Sequence, residues 1–286
     1  MSFAETVLLG ALAGFTIYLG LPFGRLRIMG DRVRVGLAMF AVGVLAFLFV
    51  DIFEHAFGIV EEPVEALGNG GGSLGEAIGF VALLGAGFAA GTAGLATIER
   101  WMRPKGPARA PMAGGSVDAL TVEEAQRLES QAESANRRAL QVGMTIAAAI
   151  GLHNFAEGLA IGVSASTGEI GLATVLIVGF ALHNATEGFG IVGPLGSVRP
   201  SWRWLALAGL VGGGPVFLGA IVGYNVTSEP LELAFYGLSG GAILYVIGEV
   251  WNAMRRYGHR ELGLWLLSAG FLVGIVTDLV VVYGGG

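Results

Sequence analysis

Eight stretches of this chain are long enough and apolar enough to cross a bilayer, and they leave little about the fold free. They cover residues 4–23, 35–57, 76–98, 139–164, 170–195, 205–224, 233–254 and 262–283. The hydrocarbon core of a membrane is about 30 Å thick and a helix rises about 1.5 Å per residue, so about 20 apolar residues span it. Lipid offers no partner to a backbone amide or carbonyl, so each stretch is expected to be a helix, which satisfies its own. The expected fold class is all-α: a polytopic transmembrane bundle of eight spans, in one domain over 1–286. Charge is scarce accordingly, at 13% of residues against 54% hydrophobic, where soluble domains carry about 25% charged residues.

Basic residues set the expected orientation. All 16 Lys and Arg fall in alternate connections. Arg25, Arg27, Arg32 and Arg34 follow the first stretch, and Arg100 through Arg138 follow the third. Arg199 and Arg203 follow the fifth; Arg255, Arg256 and Arg260 follow the seventh. The other connections hold Glu61, Glu62, Glu65, Glu169, Glu229 and Glu232, with no basic residue. The basic side of a membrane protein is the cytoplasmic one, which puts both termini outside. No basic segment precedes the first stretch and no cleavage site follows it, so 4–23 reads as a retained span.

Composition excludes several function classes. There is no cysteine, so thiolate metal sites, disulfides and cysteine nucleophiles are ruled out. A net charge of −6 argues against nucleic acid as a partner. The lipid bilayer is an expected partner, with a homodimer left open. The one sizeable connection, 99–138, is expected in the cytoplasm. Its 110–116 stretch reads as a linker, and Thr121-Val122-Glu123-Glu124 as the capping box of a short helix leading to the fourth span. Glycine, at 49 residues, signals close helix packing. Gly10/Gly14, Gly87/Gly91, Gly158/Gly162, Gly219/Gly223 and Gly237/Gly241 have small-xxx-small spacing.

The chemistry sits in the fourth and fifth spans. Leu152-His153-Asn154-Phe155-Ala156-Glu157-Gly158 recurs 30 residues later as Leu182-His183-Asn184-Ala185-Thr186-Glu187-Gly188. Positions i and i+4 lie about 40° apart around a helix, so each His shares a face with its Glu. A short connection makes the two spans antiparallel neighbours. Facing motifs would bring two imidazoles, two carboxylates and two amides together inside the membrane. A lone intramembrane His or Asn is most often interhelical glue, but a six-residue pattern repeated on consecutive spans is not. Two carboxylates neutralise one divalent cation, which removes the main cost of burying either charge. Nitrogen and oxygen donors suit Zn2+, and also Fe2+, Mn2+ and Cd2+, not Cu(I).

Other polar positions are more open. Asp51, Glu54 and His55 form an i, i+3, i+4 face near the outer end of the second span. An access funnel, an accessory metal site and plain interfacial residues all fit that face. Glu249, in the inner half of the seventh span, reads as an exit liner or a partner of Arg255 or Arg256. Asp278 reads as interfacial or a packing partner.

These motifs resemble those of the ZIP (Zrt/Irt-like) family of divalent metal transporters, its GufA-like prokaryotic branch in particular. The resemblance rests on His153-Asn154-Phe155-Ala156-Glu157-Gly158-Leu159-Ala160 and His183-Asn184-Ala185-Thr186-Glu187-Gly188. It implies import of zinc, or of iron, manganese or cadmium, to the cytoplasm of a prokaryote across its inner membrane, with no required cofactor. It also implies His153, Glu157, His183 and Glu187 as metal ligands, with Asn154 and Asn184 at an adjacent second position. Three departures stand out. Ala156 and Thr186 occupy places where the family has proline before the motif glutamate. Gly213-Gly214-Pro215 replaces a Glu-Pro in the sixth span, which favours one metal over two. The connection 99–138 lacks the histidine run of many members.

Two rival classes remain in view. An intramembrane metal hydrolase needs three ligands, an open water position and a general base; the near-symmetry of the motifs argues against that division of roles. A structural or sensory protein would lose stability or signalling, not flux, when a glutamate is replaced. The expected function is metal transport without enzymatic activity.

Overall fold

The computed structural model describes residues 1–26, 30–102, 122–168, 170–226 and 228–283. Among these, all regular structure is helical. Eight main helices run in order: α1 (Phe3–Phe15), α2 (Asp31–Gly68), α3 (Leu74–Ala89), α4 (Val122–Ser166), α5 (Ile170–Val192), α6 (Trp202–Asn225), α7 (Glu229–Arg255) and α8 (Arg260–Tyr283). A short helix, Ile17–Gly20, and a 3-10 turn, Leu21–Arg25, extend α1; a π-helical turn, Ala90–Gly94, and the helix Leu95–Met102 extend α3. Seven of the resulting rods are long and apolar enough to cross a membrane, and α5, at 23 residues, has the length for it. The linker expected at 110–116, the cap expected at Thr121, and the charges Arg27 and Glu169 lie outside the described residues.

Two elements outrun their sequence-based limits. Helix α2 continues eleven residues past the expected end at 57, through Pro63. Glu61, Glu62, Pro63 and Glu65 suggest a loop there. The extension persists because Ile59 and Val60 pack with Leu84 and Leu233 from α3 and α7, and this contact outweighs the one helical hydrogen bond that proline removes. Helix α4 is continuous over 45 residues, so the expected cytoplasmic helix and fourth span are a single rod. No glycine or proline occurs between 122 and 142 to stop it. Likewise 99–102 is helical rather than loop, and Glu99 is buried, accepting a hydrogen bond from the Tyr245 hydroxyl at 3.0 Å.

Glycine decides which helices touch closely. Methyl groups on Gly158 and Gly162 would collide with backbone of α6, and methyls on Gly219 and Gly223 with backbone of α4. The same reciprocity joins α3 to α7 through Gly87, Gly91, Gly237 and Gly241. Gly14 faces Gly213 between α1 and α6, while Gly43 and Gly270 close α2 against α8. All five small-xxx-small pairs read from the sequence therefore lie in helix contacts. Backbone-to-backbone approach of this kind substitutes dispersion for the hydrophobic drive that lipid cannot supply.

The helices thus fall into two groups of four. Helices α1, α4, α5 and α6 form one; α2, α3, α7 and α8 form the other. The groups meet where α4 lies on α7 and α5 on α2, and side chains make that seam: Phe155 stacks near Phe235 with ring centroids 4.6 Å apart.

Candidate metal centre

Both motifs sit on uninterrupted helices. Where the family pattern has proline, Ala156 leaves α4 regular. Thr186 turns its hydroxyl back to the His183 carbonyl at 2.7 Å, a local bond that lets a threonine sit inside a helix. The i, i+4 spacing then places each His beside its Glu, and the antiparallel packing of α4 on α5 brings the two faces together.

Three of the six motif residues form a tight cluster. Glu157 Oε1 lies 2.6 Å from His183 Nε2 and 2.8 Å from His153 Nε2. One ligand atom from each of His153, Glu157 and His183 falls within 4.8 Å of the others. Glu187 stands at the edge, its Oε1 3.7 Å from His153 Nε2. The two amides lie behind it. Asn154 Nδ2 donates to Asn184 Oδ1 at 2.7 Å, to the Gly212 carbonyl at 2.9 Å, and at longer range, 3.4 Å, to Glu187 Oε2. Asn154 thus ties Asn184 and, more loosely, Glu187 to α6, next to the histidine cluster.

Burial is nearly complete. Exposure is 1% for His153, 5% for Glu157, 9% for His183, and 0% for Glu187, Asn154 and Asn184. Yet His153 Nε2, Glu157 Oε2, Glu187 Oε1, Asn154 Oδ1 and Asn184 Nδ2 have no hydrogen-bond partner. Buried polar atoms without partners are costly and rare. Four of these five are electron-pair donors, or become one on deprotonation, which is what a cation requires. Zinc bound at about 2.0–2.1 Å holds tetrahedral ligands roughly 3.3 Å apart, so the two His–Glu157 separations of 2.6 and 2.8 Å would each open by roughly 0.5–0.7 Å to admit it. The residues present fit a divalent cation.

The remaining candidates are dispersed. Asp51 is half-buried and lines a cavity of about 280 Å³ with His183, Thr186, Thr277 and Asp278. That cavity opens between α2, α5 and α8 and ends on a residue of the cluster. His55 instead lines a cavity of about 160 Å³ with Ser164, Glu232 and Tyr236, floored by Ala156. Glu54 is exposed. The face read from spacing therefore divides between two cavities, although His55 Nδ1 lies 2.9 Å from the Asp51 carbonyl and 3.9 Å from Asp51 Oδ1. Glu249 is half-buried one turn beyond Tyr245, ten residues along α7 from the level of the cluster. Arg256, offered as its partner, donates to the Pro194 carbonyl at 2.9 Å.

Two contributors escaped sequence reasoning. The Gly212 carbonyl holds Asn154. Ser239, fully buried on α7, places its hydroxyl 3.0 Å from His153 Nδ1. A serine followed by two glycines reads as a packing residue, and nothing in its spacing marks it.

Comparison with known proteins gives this geometry its context. The family model of the ZIP zinc transporters matches residues 1–247. Zinc transporter ZIPB of Bordetella bronchiseptica is 30% identical over 131 residues, 44% of this chain and 42% of that protein. Zinc transporter ZupT of Chlorobium chlorochromatii is 27% identical over 161 residues, 54% of this chain and 60% of that protein. The matched stretch thus spans about half the length of these two relatives. A ZupT of Corynebacterium glutamicum aligns more fully, 26% identical over 93% of this chain and 97% of that protein. With a buried His/Glu cluster on facing helices and a family match over most of its length, the chain belongs to the ZIP zinc transporter family.

Proposed function

We propose that this protein is a permease that admits Zn2+ to the cytoplasm through the cluster on α4 and α5. The observation that carries the reading is the convergence of His153, Glu157 and His183 within 4.8 Å, buried in the helix bundle, with His153 Nε2 and Glu157 Oε2 lacking hydrogen-bond partners. In this reading His153, Glu157 and His183 bind the ion and Glu187 completes the set. Asn154, itself bonded to Asn184, steadies Glu187. The relatives' names support zinc as the cargo; Fe2+, Mn2+ and Cd2+ suit the same donors.

The topology proposed is eight spans with both termini outside, α5 being the eighth rod. The membrane is a bacterial plasma membrane, and the basic connections face the cytoplasm. An inside-negative potential then favours influx by about 4.6 kcal/mol per divalent ion at 100 mV. Zinc reaches the site along the cavity lined by Asp51 and Asp278, whose carboxylates draw cations toward His183. Release requires only that binding be moderate, which a site without thiolates provides.

The test is zinc influx into proteoliposomes for wild type, Glu187→Ala and His183→Ala, each checked for insertion. Saturable influx that collapses in both variants is the expected result. Absence of flux for zinc, iron, manganese and cadmium alike in the wild type would sink the reading.

A further inference from the structure

Resting on the transport reading for its role but not for its geometry, we infer that Ser239 is a positioning residue that sets which nitrogen of His153 is offered to the ion. A neutral imidazole carries one N–H and one lone pair, and the hydrogen bond at one nitrogen decides which is which. His153 Nδ1 lies 3.0 Å from Ser239 Oγ with hydrogen-bond geometry. His153 Nε2 lies 2.8 Å from Glu157 Oε1, closer still, yet lacks hydrogen-bond geometry. That pattern is met with the N–H at Nδ1, donating to Ser239, which leaves the Nε2 lone pair for the ion.

Without the serine the preference reverses. The carboxylate of Glu157 is a stronger acceptor than any hydroxyl, and with no acceptor at Nδ1 the ring is free to rotate until a proton on Nε2 reaches it. A protonated Nε2 cannot bind zinc. Ser239 counters this pull from the opposite side of the ring. Its own position is fixed by backbone contact, since methyls on Gly237 and Gly241, two residues to either side, would collide with α3. Hydrogen-bond partners of metal-binding histidines typically govern 10–100-fold in metal affinity.

Ser239 also belongs to the other helix group. His153 is on α4 and Ser239 on α7, so this bond crosses the seam, and it is the one side-chain hydrogen bond to the cluster from α7 among the described residues. Zinc affinity is thereby tied to the register of α7 against α4.

The experiment compares Ser239→Ala and Ser239→Thr with wild type by initial rates of zinc influx in proteoliposomes and by zinc titration of the detergent-solubilised protein. Ala removes the acceptor; Thr keeps it. The expected result for Ala is a KM and a zinc Kd raised about 10–100-fold with Vmax retained, and for Thr values near wild type. If Ala does not fold, Ser239→Gly removes the same hydroxyl and takes its place. An unchanged KM and Kd in the hydroxyl-free variant overturns the inference, as does an equal rise in Ala and Thr, which would mean packing alone. Should wild type bind zinc but move none, the transport reading fails separately, and the titration still decides the role of Ser239.

Discussion

Helices α1, α4, α5 and α6 close on one another through glycine, and so do α2, α3, α7 and α8, yet among the described residues only the first group carries the candidate metal cluster. In both groups small residues let backbones touch, so each behaves as a tightly sealed unit. The first buries two repeated motifs in its interior. The second contributes flanks: Asp51 and Asp278 beside His183, and Ser239 behind His153. Between the groups the packing changes character, from backbone on backbone to ring on ring and hydroxyl on imidazole. A site assembled inside one sealed unit and tuned by the other keeps its ligands together however the seam is arranged.

The sharpest way to break this comparison is to remove a carboxylate from each group. Glu157→Ala is expected to lower zinc influx by at least about 100-fold, above the range seen when only a hydrogen-bond partner of a ligand is lost. The exposed Glu62→Ala on α2 is expected to leave influx near wild type. Similar losses from both would mean that the chemistry is not confined to the first group.

Next comes the packing. A methyl on Gly158 would run into the Val216 carbonyl, whereas one on Gly190, facing α2 across the seam, meets the Ala41 Cβ at an ordinary 3.9 Å. Gly158→Ala is expected to cost about 1–3 kcal/mol through overpacking. Gly190→Ala is expected to be neutral or to gain up to about 1 kcal/mol from helix propensity. Thermal melting in detergent separates the two, and equal effects would erase the distinction between sealed contact and seam.

The smallest effect belongs to the end of the seam where α5 and α7 finish. There Arg256, just past α7, donates to the Pro194 carbonyl beyond α5 at 2.9 Å, bridging the groups. Arg256→Ala is expected to lower stability by about 0.5–1.5 kcal/mol, the net value of such a bond. A loss matching that of Gly158→Ala would show the seam to be held as firmly as the interiors.

Much of this was legible in the sequence because membranes enforce regular periods. Apolar length revealed the helices, and His153/Glu157 with His183/Glu187 pointed to the candidate cluster, since i, i+4 spacing fixes a shared face before any tertiary contact is known. The glycine pairs announced close packing, but not that Gly158 and Gly162 answer Gly219 and Gly223; pairing is a property of two helices, and spacing within one cannot supply it. Asp51 and His55 share a face by period and yet line different cavities, because α4, α5 and α7 decide what each side chain meets. Ser239 was invisible for the opposite reason. Its hydroxyl matters through one atom of one distant histidine, and no pattern along α7 encodes that.

The length of α4 has a mechanical consequence. From Val122 to His153 the helix is unbroken, an arm of about 47 Å at 1.5 Å per residue. A tilt of 5° about the cluster would carry the N-terminal tip through about 4 Å, a lever that turns sub-ångström adjustment around the cluster into a displacement that paired labels on that tip can register.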